Sequence, residues 1–194
     1  MASRRFTQAI AEGDGISVLV DVDGASDARA AEAQGAEALV VRGEVAAVRA
    51  STELPILMRS TLALADAADA GADACTVTVA DFEDDHERLA AVHREALDLG
   101  LDCVVEVRNE DELELALERL DAEIFLLAGR PDDGDPLGSA LELLPGVPAG
   151  KLAVADVEVA GRGHIDELER AGVDAVIVRA GNIADLVGGA PPQV

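Results

Sequence analysis

Gly100-Leu-Asp-Cys-Val-Val-Glu-Val-Arg-Asn-Glu-Asp-Glu-Leu113 holds a complete structural unit. An apolar run, Cys103-Val-Val105, leads into a carboxylate, Glu106, and then Val107 and Arg108. Asn109-Glu-Asp-Glu112 opens a helix that reaches Leu120. A buried strand that ends in a carboxylate and feeds straight into a helix is how a (β/α) barrel brings a side chain to its active face.

Seven further segments repeat the pattern, with strands read from short β-branched runs and helices from the Ala/Leu/Glu/Arg segments between them. The expected strands are Ile16–Val22, Ala38–Arg42, Pro55–Arg59, Ala74–Val79, Glu123–Ala128, Leu152–Val157 and Ala175–Arg179. Ser26 is expected to cap a helix to about Gln34. The other helices are expected over Val45–Ala50, Thr61–Ala70, Phe82–Leu99 (the longest) and Gly163–Ala171, with one ending at Leu144 after a polar loop, Arg130–Pro136. Gly35-Ala-Glu, Gly71-Ala-Asp and Gly172-Val-Asp recur before strands, where glycine ends a helix in a left-handed turn. Strict alternation implies a parallel sheet. Eight units imply closure into a compact (β/α)8 TIM barrel with shortened loops, occupying residues 1–194 as one domain. Residues 1–15 form its N-terminal segment and 187–194 a frayed tail. An open doubly wound sheet is the alternative, disfavoured because no GxGxxG follows the first strand.

Net charge is −24, from 39 acids against 15 bases, and Lys151 is the sole lysine. That field repels nucleic acid and anionic membranes, so neither is an expected partner. It suits a salt-rich interior, although high-GC coding bias would also replace Lys with Arg. Met1-Ala-Ser-Arg-Arg5 is not followed by an apolar h-region, and no apolar run approaches a membrane span, so a cytoplasmic protein is expected. Aromatic residues are 2%, so Ala, Val, Leu and Ile must build the core. Cys75 and Cys103 lack CxxC spacing and are expected as small buried apolar residues. His86 and His93, seven apart on one helix and roughly 10 Å from each other, cannot share a metal and are expected to be solvated. His164, just beyond the seventh strand, is a weaker candidate for the mouth. No cofactor is implied. The chain is expected as a monomer or as a homodimer paired through an exposed barrel bottom.

Chemistry in a barrel sits at the C-terminal ends of the strands. There the sequence places Asp21, Asp23, Arg42, Arg59, Glu106, Arg108, Arg130, Asp156, Glu158 and Arg179, five acids and five arginines around one mouth. Each acid is expected to have an arginine in reach, which favours a salt-bridge network over a paired-carboxylate acid/base site. A carboxylate-bound divalent cation is disfavoured by the same arginines.

The order of segments resembles indole-3-glycerol phosphate synthase, a barrel lyase of tryptophan biosynthesis, from about Phe6 to Leu186. Leu54-Pro-Ile-Leu-Met-Arg59, Ala70-Gly-Ala-Asp-Ala74, Leu101–Leu113 and Arg170-Ala-Gly-Val-Asp-Ala-Val-Ile-Val178 carry the likeness. The resemblance implies closure of an indole ring on an anilino ribulose phosphate, with loss of carbon dioxide and water. It requires a general-acid lysine, a second lysine near the substrate carboxylate, and carboxylates to shuttle protons.

Matched position by position, the family's fifth-strand Glu is Glu106. Its first-strand Glu-x-Lys becomes Asp21-Val-Asp23, and the third-strand catalytic Lys falls on Arg59, a poor proton donor. The sixth-strand Asn falls on Ala128 with the nearby Arg kept as Arg130. The seventh-strand Glu-Ser-Gly becomes Asp156-Val-Glu158, and the phosphate-approaching Gly of the eighth strand becomes Arg179. Glu158 sets a negative charge where a phosphate would approach. Against the family, Asp23-Gly-Ala-Ser26 stands where a long substrate-covering loop is expected, and Gly43-Glu-Val45 replaces a longer connection. The expectation is a catalytically silent or scaffold barrel. The alternative is altered chemistry on a small phosphate or carboxylate ligand. Glu106 would be its base, Asp21 or Asp156 the partner acid, and Arg59, Arg130 and Arg179 the anion holders, beside Arg42, Asp23 and Glu158.

Overall fold

A computed structural model describes residues 4–12, 15–59, 63–129, 135–181, 183 and 186. Eight parallel strands close into one barrel in chain order, β1 (Ser17–Val22), β2 (Ala38–Val41), β3 (Ile56–Met58), β4 (Ala74–Thr78), β5 (Asp102–Val107), β6 (Ile124–Ala128), β7 (Leu152–Asp156) and β8 (Ala175–Arg179). β8 pairs with β1, matching Leu19 with Ile177 and Asp21 with Arg179. The expected TIM barrel is therefore observed, and the open sheet is excluded.

Each strand alternates with period two. Leu19, Val40, Leu57, Val104, Leu126, Val154 and Ile177 fill the barrel interior. Their neighbours Val20, Val41, Met58, Val105, Leu127, Ala155 and Val178 face the helices. With one buried Phe125 on the strands, the wall is built almost wholly from aliphatic side chains, as the composition required.

The helices are α1 (Arg5–Ala11), α2 (Ala25–Ala33), α3 (Val45–Arg49), α4 (Leu64–Asp69), α5 (His86–Asp98), α6 (Glu110–Arg119), α7 (Pro136–Leu143) and α8 (Arg162–Ala171). Ser26 does not cap α2. Gly24 occupies that position and Ser26 lies inside the first turn. α5 starts four residues later than expected, because a 3-10 turn takes Val79–Phe82 and the Asp85 side chain accepts from Arg88 N–H. At α6, Asn109 is the cap itself. Its Oδ1 accepts from Glu112 N–H at 2.9 Å, while Glu112 Oε2 accepts from Arg108 N–H, a reciprocal pairing that fixes the end of β5 against the helix.

At the opposite end of the barrel, the recurring turns do more than stop helices. Glu37 Oε2 accepts from Val18 N–H at 2.9 Å, Asp73 Oδ2 from Ile56 N–H at 2.9 Å, and Asp174 Oδ2 from Ala153 N–H at 2.7 Å. In each case the acid at the foot of an even-numbered strand binds an amide near the foot of the strand before it. Gly35, Gly71 and Gly172, at φ 91°, 92° and 98°, make the reversal that aims the acid there.

Asp102 breaks this pattern. Its Oδ2 accepts from Thr7 N–H of α1 at 2.9 Å. Phe6 and Ile10, both buried, plug the interior from below. The barrel interior is therefore closed from below by α1, and the expectation of an exposed bottom is corrected. The missed signal was Phe6 and Ile10 at i, i+4 on a short helix whose apolar stripe is only two residues long. Among the described residues no helix is long and apolar enough to cross a membrane.

Candidate functional site

Continuing the interior rows by two residues reaches the mouth. Leu19 leads to Asp21, Val40 to Arg42, Leu57 to Arg59, Val104 to Glu106 and Arg108, Val154 to Asp156 and Glu158, and Ile177 to Arg179. The period that fills the core thus also aims these charges over the barrel axis.

Arg59 is the centre of what results. Its Nη1 donates to Asp156 Oδ2 at 2.5 Å and its Nη2 to Glu106 Oε2 at 2.8 Å, bridging β3 to β7 and β5 across the barrel. The other oxygen of Glu106 accepts from Arg108 Nη2 at 2.6 Å and Nε at 3.0 Å. Glu106 is held from both sides, with its side chain only 4% exposed. Burial alone would loosen the proton on Arg59. Asp156 and Glu106 together outweigh it and hold that proton more tightly than in free arginine. Asp21 accepts from Arg42 Nε at 3.0 Å and Nη2 at 2.9 Å in a more exposed pair.

The remaining candidates stand apart. Asp23, Glu158 and Arg179 are exposed, and none forms an ion pair among the described residues. Among the described residues, the expectation that every acid has an arginine partner is therefore corrected for Asp23 and Glu158: Asp23 lies one residue beyond β1 and Glu158 two beyond β7, and both are exposed. Arg130 and most of the Arg130–Pro136 loop lie outside the described residues. Below the mouth, Thr76 Oγ1 is buried without a hydrogen-bond partner among the described residues. No described group of three or more His, Cys, Asp or Glu residues could hold a metal ion.

One expectation away from the mouth also needs correction. His93 is not solvated. It shares the inner stripe of α5 with Leu89 and Ala96, and its burial lowers its pKa. His164 serves the loop after β7, its Nδ1 accepting from Ala160 N–H at 3.3 Å. Lys151 lies at the bottom, donating to Asp121 Oδ1 at 3.1 Å.

Comparison with known proteins gives a consistent result. The sequence profile described as indole-3-glycerol phosphate synthase matches residues 16–182. An indole-3-glycerol phosphate synthase of a Nocardioides species is 33% identical over 182 residues, covering 84% of this chain and 68% of that protein. Among solved structures, the N-acetylmannosamine-6-phosphate 2-epimerase of Clostridium perfringens superposes with a TM-score of 0.68 at 12% identity, covering 87% of this chain and 88% of the other. A protein of Burkholderia cenocepacia described as a phosphonomutase gives 0.62 at 17% identity, covering 84% and 86%. At those identities the two structures share the barrel fold with this chain and no more.

Proposed function

We propose that this chain, which belongs to the indole-3-glycerol phosphate synthase family, keeps the family's barrel without its ring-closing reaction. The observation that carries this is Arg59. The family resemblance assigns that position a lysine acting as general acid. Here the side chain is a guanidinium clamped between Asp156 and Glu106, and its proton is held more firmly than usual. A general acid works best with a pKa near the operating pH, and this group is far above it. Lys151 cannot substitute, because it pairs with Asp121 at the far end of the barrel. Glu106 meets two guanidiniums and offers no free oxygen to a substrate proton. The mouth is a salt-bridged lid on a stable scaffold.

Incubating the protein with the carboxyphenylamino-deoxyribulose phosphate substrate and following indole fluorescence tests this directly. The chain has no Trp, so the background is low. The expected result is no turnover above a no-protein control. Turnover that vanishes in Glu106→Gln would defeat the proposal.

A second reading is altered chemistry on a small phosphate or carboxylate. Its support is Arg179, exposed at the end of β8 and without an ion-pair partner among the described residues. Glu106 would have to leave both arginines to act as base. A rise in melting temperature with inorganic phosphate that Arg179→Gln removes would favour this reading.

A further inference from the structure

Cys75 and Cys103, far apart in sequence, are direct register partners on adjacent strands β4 and β5. Neighbouring strands lie about 4.8 Å apart, inside the roughly 4.4–6.8 Å between Cα atoms that a disulfide spans. Both side chains belong to the outer face of the sheet, while Ala74 and Val104 next to them point inward. Their Cβ vectors thus leave the sheet on the same side. Both cysteines are buried and free. With no third metal-ligating residue beside them among the described residues, the pair suits a covalent bond better than an ion. Cys103 also lines a cavity of about 110 Å³ between α1, α5 and β5, together with Thr7, His93, Leu97 and Asp102. That space admits a molecule of the size of water or a peroxide.

We infer that Cys75 and Cys103 form an oxidative modification site, in which a peroxide arriving through this cavity converts the pair to an intrachain disulfide. The Cys103 sulfur attacks one peroxide oxygen, the O–O bond breaks, and one water leaves a sulfenic acid. The Cys75 sulfur then attacks the oxidised sulfur, the S–O bond breaks, and a second water carries away the last thiol proton. One peroxide is reduced to two waters and two thiols are oxidised to one disulfide. Cys75 and the burial of Cys103 both keep the Cys103 proton on, so the reaction is slow and answers sustained oxidant rather than a brief pulse. The site lies on the outer face of the barrel wall and does not depend on any role of the mouth.

The test treats folded protein with excess hydrogen peroxide, quenches it, unfolds it, and counts thiols and intact mass. Both thiols should be lost together, with the mass lowered by two hydrogens and restored by dithiothreitol. Cys75→Ala should instead add oxygen at Cys103 without a cross-link. Survival of both thiols in the folded protein, under conditions that oxidise the unfolded chain, would overturn the inference. So would independent oxygen addition at each cysteine, or disulfides formed only between chains.

Discussion

Replacing Arg59 with Met removes the guanidinium but keeps most of the side-chain length, leaving Glu106 and Asp156 facing each other across the barrel. At an effective dielectric of about 20, each lost ion pair at about 4 Å forfeits roughly 4 kcal/mol of gross attraction. Most of that only offsets the cost of having buried the charges. The net effect is set by what remains uncompensated. Glu106 keeps Arg108 on its other oxygen, and the Asp156 side chain, 30% exposed, can recover water. These features place the cost at the low end of the 3–5 kcal/mol typical of breaking a buried pair, about 3 kcal/mol. For a chain of this size that lowers the melting midpoint by about 6–12 °C.

The matched triple change, Arg59→Met with Glu106→Gln and Asp156→Asn, removes charge and countercharge together and should fall within about 1 kcal/mol of the parent. Arg108, 37% exposed, loses its partner there but is free to meet water. Urea and thermal unfolding followed by far-UV circular dichroism measure both variants. If Arg59→Met costs less than about 1 kcal/mol, or the triple variant is as unstable as the single one, the mouth is not the closed electrostatic unit described above.

Phe6→Ala should cost about 3–5 kcal/mol, because it empties the plug beneath the barrel, where the ring is fully buried; an unchanged urea midpoint would show that α1 is dispensable. Asp102 gives a pH prediction. Burial raises its pKa despite the Thr7 bond, so the folded chain holds a proton that the unfolded chain has already released, and stability from this group falls as pH rises from its ordinary value through the raised one. Asp102→Asn should therefore raise the melting midpoint at neutral pH and flatten the profile below it, and a lower midpoint would mean that the Thr7 contact outweighs the burial penalty.

The fold could be read from the sequence because barrel strands are buried on both faces and appear as continuous apolar runs, punctuated by glycine turns. The mouth was legible for a related reason: period two carries the interior row onward into Asp21, Arg42, Arg59, Glu106 and Asp156. Which charges pair was not legible. Asp23 and Glu158 share the row and the charge of Asp21 and Asp156, and what separates the exposed acids from the clamped ones is that the former lie beyond the last residues of β1 and β7. Helix starts shifted wherever a local carboxylate or glycine took the cap, as at Asp85 and Gly24. The Cys75–Cys103 pairing was invisible because register between two strands is set by the whole barrel's stagger, not by spacing along the chain.

On the proposed reading, Arg59 accounts both for the loss of the reaction and for the closure of the mouth. A lysine ammonium at position 59 would be a single compact charge able to give up a proton; the arginine is a planar fork with donors set apart, which can satisfy one carboxylate with each arm. Here Nη1 and Nη2 do so, one to Asp156 and one to Glu106. Once both arms are engaged, the carboxylates that would have handled substrate protons become the acceptors that hold the fork in place. On the proposed reading, loss of the reaction and closure of the mouth are then one event rather than two. Without the acids of β5 and β7, Arg59 would be a mostly buried charge with no partner, which is why removing either acid alone should cost more than removing all three charges together.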